Sequence, residues 1–241
     1  MPSARCGSSW SCRSSLRSGE CSSGSASTRR PSTTRSSTTP CSTTSPTPST
    51  NSSTATDVSD VHVAFVRAVM IGREGLHRPV LLDMFERAGA AEATSYIATG
   101  NVSFRVETDA VPAVVESVEA DLERLLGRPT PLFVRPLDDV VALVDSNPFA
   151  NAPRGPVRDE VVTFFRDRVP DHLAPPIEAP NGDFVAFAAG PAELFSVVID
   201  RDDRQPSAPG GYLERLAGEP VTTRAVTTLE RIVEKLTGPG R

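Results

Sequence analysis

Ser95-Tyr96-Ile97-Ala98-Thr99-Gly100-Asn101-Val102-Ser103-Phe104 is the stretch on which the fold turns. β-Branched and aromatic residues flank Gly100-Asn101, a dipeptide whose members both tolerate positive φ. The spacing predicts two strands, Thr94 to Thr99 and Val102 to Val106, joined as a hairpin. Upstream, Val61 to Val69 alternates and is rich in Val and Phe, which predicts a strand. Pro79 suits a first helical turn, and Val80, Leu81, Met84, Phe85 and Ala88 recur at helical spacing up to Gly89. Downstream, Val111, Val114, Val118 and Leu122 lead an apolar stripe that follows Asp109, a capping residue type, and stops at Gly127. Leu132 to Arg135 predicts a strand and Leu137 to Val144 a short helix. The hairpin therefore sits inside strand, helix, strand, strand, helix, strand, the ferredoxin-like βαββαβ order with an added helix.

A second set follows the Pro-rich segment Asn147 to Pro156. Strands are expected at Glu160 to Phe165, Phe184 to Ala188 and Leu194 to Ile199, with a helical turn at Pro170 to Ala174. Tyr212 to Ala217 is a helix stopped by Gly218, Val221 to Arg224 is extended, and Thr228 to Leu236 is a helix opened by the capping-box pair Thr227 and Glu230. Gly100 and Gly190, the two hairpin glycines, lie 90 residues apart. The expected fold is α+β: a tandem pair of ferredoxin-like βαββαβ units, residues 61–147 and 157–241, each with an extra helix, after a disordered segment 1–60.

Residues 1–60 hold 20 Ser and 11 Thr, with 6 Arg, 3 acidic residues and no Lys. So polar a stretch buries too little apolar surface to offset the entropy of ordering its backbone, hence the expectation of disorder. All four cysteines (Cys6, Cys12, Cys21, Cys41) and Trp10 fall within it, without CxxC or zinc spacing. No apolar stretch of ~7 to 15 residues marks a signal peptide, so a cytoplasmic protein is expected. The Arg- and Ser-rich, acid-poor composition leaves a transit peptide, a dispensable extension or a start-site error near Val58 to Val61 as readings of the tail. The remaining 181 residues carry a net charge of −8 within a chain total of −5.

That remainder excludes much chemistry. Lys235 is the only lysine of the chain, so a GxxxxGK[ST] phosphate loop is missing. There is no thiol after Cys41, and His62, His77 and His172 stand apart with no metal-ligand spacing. GxSxG and GxGxxG motifs are absent. No apolar run approaches the ~18 residues that span a bilayer. The residues specify an architecture without a recognisable catalytic motif, and no cofactor or metal is expected.

Three segments carry a resemblance. Phe65-Val66-Arg67-Ala68-Val69-Met70-Ile71-Gly72 resembles the opening strand and loop, written RGINVGG, of a bacterial family designated domain of unknown function 1697. The hairpin Ser95 to Phe104 is similar to its TYIQSGNVVF segment, the most specific match, and Val221 to Leu229 resembles its closing TxRNWNT segment. The resemblance spans Val61 to Leu236 and implies a tandem of ferredoxin-like units with no established activity. Ala68, Met70, Arg73 and Glu74 depart from the motif, as do Ala225-Val226 and the segment RDDRQPS before Tyr212, where the family has the basic run GRSK. Positions that match are Arg67, Gly72, Tyr96, Gly100, Asn101, Arg224 and Thr228.

Together with Arg73, these residues define the expected ligand site: Arg67, Gly72, Arg73, Tyr96, Asn101, Arg224 and Thr228, with a pocket between the two units where Arg67, Tyr96, Asn101 and Arg224 would converge. Arg67, Arg73, His77 and Arg78 gather near a helix N-terminus, which favours a small anionic ligand. The alternatives are RNA binding, with Phe65 and Phe104 as stacking platforms on a βαββαβ sheet, and a noncatalytic homo-oligomer or interaction module using open sheet edges. The net charge of −8 argues against nucleic acid, and no membrane partner is expected.

Overall fold

The computed structural model describes residues 60–238, so the expectations for the N-terminal segment 1–59 lie outside the described residues. Val61–Val66 forms β1, buried along its whole length, because its two faces serve two cores. Val61, Val63 and Phe65 enter a central core, while Ala64 and Val66 join Leu81, Phe85, Val118 and Leu122 in a second. Such a strand needs apolar residues on both faces, which is why VHVAFV carries only one polar side chain.

The first sheet has the order β2-β3-β1-β4, all antiparallel, from β2 (Ala91–Tyr96), β3 (Asn101–Arg105) and β4 (Leu132–Pro136) around β1. Helices α1 (Arg78–Arg87) and α2 (Val111–Leu126) cover its outer face, and α3 (Leu137–Asp145) follows β4 without a linker. The second sheet has the order β6-β7-β8-β5-β9, from β5 (Val157–Phe164), β6 (Ile177–Glu178), β7 (Phe184–Ala189), β8 (Glu193–Ile199) and β9 (Thr222–Ala225). α4 (Gly210–Ala217) covers its outer face through Leu213, and α5 (Val226–Thr237) follows β9 directly. Phe65 and Phe164 stack at 4.6 Å between the sheets, with Leu137 and Val140 of α3 and Leu229 and Ile232 of α5 completing that core.

Four local expectations change. The segment Pro170 to Ala174 forms no helix, and the chain passes instead to the two-residue edge strand β6. The hairpin turn is not Gly100-Asn101 but Ile97 to Gly100, because Asn101 is fully buried at the start of β3. Gly100 is needed there at φ 69°, where an added Cβ would strike the side chains of Val69 and Val66. α5 starts at Val226, so Thr227 does not cap it, and Asp109 lies in the 3₁₀ turn Thr108–Ala110 ahead of α2. At the start of α5 the chain direction is set by the buried Arg224 and Val226 on either side of the junction rather than by a cap. Among the described residues no helix is long and apolar enough to cross a membrane.

His62 is the polar residue of β1, 2% exposed and stacked on Phe104 at 5.6 Å. Its Nδ1 lies 3.2 Å from the Asp60 carbonyl, while Nε2 is buried without a partner. Burial lowers its pKa, so the unfolded chain takes up a proton that the folded chain resists. Stability is therefore expected to fall as pH drops through about 6.5, the value of an unperturbed imidazole. Melting temperatures at pH 7.5 and 5.5 check this: the drop should shrink in His62→Phe, and an equal drop in both proteins would refute it.

Candidate functional site

Arg224 leaves β9 opposite Val162 of β5 and reaches across to the first sheet. Its Nε donates to Asn101 Oδ1 at 2.6 Å, and Nη2 donates to the carbonyls of Val66 at 2.8 Å and Thr99 at 3.0 Å. Nη1 donates to Thr222 Oγ1 at 2.8 Å and the Thr223 carbonyl at 2.9 Å, so all five N–H groups are used. The guanidinium carbon sits 5.7 Å from the centre of the Phe65 ring. Asn101 is oriented by donating to the Tyr96 carbonyl at 3.3 Å and Thr99 Oγ1 at 3.0 Å. Burial pushes the Arg224 pKa down to about 10, which leaves it charged at neutral pH.

Arg135 repeats this arrangement in the opposite direction. It leaves β4 opposite Val63 of β1 and reaches across to the second sheet. Its Nε donates to Glu193 Oε1 at 2.9 Å, and Nη2 to the carbonyls of Phe165 at 2.5 Å and Ala192 at 3.3 Å. Nη1 donates to the carbonyls of Val134 at 2.9 Å and Arg166 at 3.4 Å, and the guanidinium carbon lies 5.5 Å from the Phe164 ring centre. A further pair of bridges matches in the same way. Arg67, just past β1, grips Glu214 of α4 through Nε and Nη2, while Arg166, just past β5, holds Glu119 of α2 at 2.6 Å. Arg224 and Arg135 tie one sheet to the other, and Arg67 and Arg166 each tie one sheet to the helix that covers the other.

Of the expected ligand residues, Asn101, Arg224 and the Tyr96 backbone thus share one hydrogen-bond network, with Arg67 engaged nearby by Glu214. Gly72 at φ 94° and Arg73 belong to a tight loop in which the Gly72 amide donates to the Leu76 carbonyl, and Thr228 lies half-buried in the first turn of α5. Phe65 and Phe104 are core residues, 0% and 1% exposed, and offer no face to a base. In the segment RDDRQPS, Arg204 and the Ser207 amide bind the buried Asp183 carboxylate. These contacts hold that carboxyl well below its usual range.

The two clamps differ in what stands beside them. On the Arg224 side the Tyr96 ring belongs to the central core, 8% exposed, with Lys235 Nζ 5.9 Å from its centre. Gly190 faces Glu193 across the second hairpin as Tyr96 faces Asn101 across the first, and Ser146, the residue just past α3, follows Arg135 at the spacing at which Lys235 of α5 follows Arg224. With a glycine and a serine in place of a tyrosine and a lysine, a cavity of about 680 Å³ opens beside Arg135. Its walls include Val134, Val140, Leu143, Phe164 and Phe195, with Glu193, Asp139 and Asp167 as the acidic groups. An added Cβ on Gly190 would crowd Glu193 Oε2 at 3.1 Å. Ser146 donates to the Leu143 carbonyl at 2.8 Å, so no nucleophile faces a base there. Among the described residues no group of three or more His, Asp or Glu is placed to hold a metal. Arg135 and Glu193 were not singled out by motif, and Gly190 only as a hairpin glycine, yet Phe65-Val66-Arg67 recurs as Phe164-Phe165-Arg166, and both Arg135 and Arg224 stand two residues before a helix.

The family model described as "Protein of unknown function (DUF1697)" matches residues 60–195, from the start of the first sheet into β8. The chain belongs to the DUF1697 family. This DUF1697 chain is also similar to the solved structure of the conserved bacterial protein SP0830 from Streptococcus pneumoniae. The identity is 18% and the TM-score 0.53, covering 74% of this chain and 98% of that one, a likeness of fold. No curated protein matches this chain.

Proposed function

We propose that this DUF1697 protein is a small-ligand-binding module, built as two ferredoxin-like units in tandem, that takes its ligand in the cavity beside Arg135. The observation that carries the reading is the cavity itself: about 680 Å³, within the ~300–1,000 Å³ usual for ligand sites, with an apolar lining and few polar groups. The tandem description rests on the shared strand order β2-β3-β1-β4 and β7-β8-β5-β9, to which the second sheet adds only the edge strand β6, and on the reciprocal arginines. Rigid placement supports binding, because the clamp fixes the walls before any ligand arrives and lowers the ordering cost of association.

N-Phenyl-1-naphthylamine, a neutral apolar fluorophore, tests this directly. Saturable fluorescence enhancement is expected with the native chain. Ala142 is exposed on α3 and lines the cavity, so Ala142→Trp should plug the space without disturbing the core. Enhancement should then fall at least tenfold at unchanged melting temperature. Equal binding by the plugged variant would remove the cavity from consideration.

A further inference from the structure

The polar groups of this cavity define what its ligand must carry. We propose that the ligand is an amine: an apolar or aromatic body bearing a cationic nitrogen, and not a carboxylate or phosphate. This inference rests on the cavity being the binding site. Every N–H of Arg135 is spent on protein acceptors, so the only cation in the lining has no donor left for a ligand anion. The Ser146 hydroxyl is likewise turned back to Leu143. Against these stand three carboxylates, Asp139, Asp167 and Glu193. Glu193 is answered by Arg135, whereas Asp139 and Asp167 have no ion-pair partner among the described residues.

A neighbouring groove extends the same asymmetry. Val134 and Asp167 line both the cavity and a groove along α2, where Glu116, Glu119 and Glu123 gather. The one arginine of that groove, Arg166, is taken by Glu119. A ligand in the cavity therefore meets carboxylate acceptors in its lining, with further acidic groups in the adjoining groove. Low-dielectric walls concentrate such a field on the ligand. The cation is favoured in binding and in approach.

Three probes of one shape separate charge from apolar fit: 4-phenylbutylamine, 4-phenylbutanol and 4-phenylbutyrate, titrated calorimetrically into the full chain at pH 7 in low salt. The amine should bind best and the acid worst, with a ratio on the order of tenfold for two exposed carboxylates. The double variant Asp139→Asn/Asp167→Asn changes exposed positions only and should bring the amine and acid together while leaving the alcohol unchanged. An acid bound as tightly as the amine, or an amine preference that survives in the double variant, overturns the proposal while alcohol binding preserves the cavity reading. Absence of binding by all three overturns both.

Discussion

Arg135→Met is expected to lower the free energy of unfolding by about 3–5 kcal/mol, the usual cost of stranding one member of a buried ion pair. Arg135 and Glu193 are each 9% exposed, and their link is a single Nε to Oε1 bond of 2.9 Å. Methionine matches much of the stem but supplies no donor, so four backbone carbonyls lose a partner as well as the carboxylate. Urea unfolding of the full chain measures the effect. Adding Glu193→Gln to Arg135→Met should recover about 1–2 kcal/mol, since the stranded group is then neutral. A loss below ~1 kcal/mol, or no recovery in the double variant, would mean that the pair is not a structural tie between the sheets.

The elements themselves were legible because each has a local cause. The α2 stripe and its stop at Gly127 appear as expected, with Gly127 at φ 68° closing the helix. The Val102 and Phe104 positions of β3 and the apolar strands β7 and β8 are likewise found where the residues place them. What escaped is what depends on partners distant in the chain. Asn101 has the composition of a turn residue, but its place is decided by Arg224, 123 positions later. The segment after β5 has room for a helix, yet β6 runs there against β7 instead.

The candidate site was half visible for the same reason. Arg67, Asn101 and Arg224 can be picked out, and the structure brings them to the junction between the sheets. Their geometry is that of a closed tie, with every Arg224 donor consumed. The open counterpart beside Arg135 is marked by what is missing, a glycine where the other side has Tyr96. A missing side chain leaves no motif. Phe65 and Phe164 align the two parts of the chain, but a missing helix, a tighter hairpin and the shorter α4 together reduce the offset from 99 residues at those phenylalanines to 89 at Arg135 and Arg224.

The matched clamps also make unequal electrostatic demands, and Arg224→Met is expected to reveal this with a loss of about 3 kcal/mol that differs in kind from that at Arg135. Arg224 is a buried cation whose Nε partner is the neutral amide of Asn101, not a carboxylate. Its removal strands no charge. The loss comes from unpaired acceptors: Asn101 Oδ1 and the carbonyls of Val66, Thr99 and Thr223. It also comes from the cation over the Phe65 ring, worth roughly 0.5–2 kcal/mol. Set against this is relief from burying a guanidinium, visible in its pKa pushed down to about 10. Lysine separates these contributions, because Arg224→Lys retains the charge and a cation near Phe65 but has three donors for five acceptors. If the hydrogen bonds dominate, Lys and Met variants should lose similar stability in urea unfolding. Lys retaining most of the native stability would show that charge near the ring, not the donor fork, holds β9 to the first sheet.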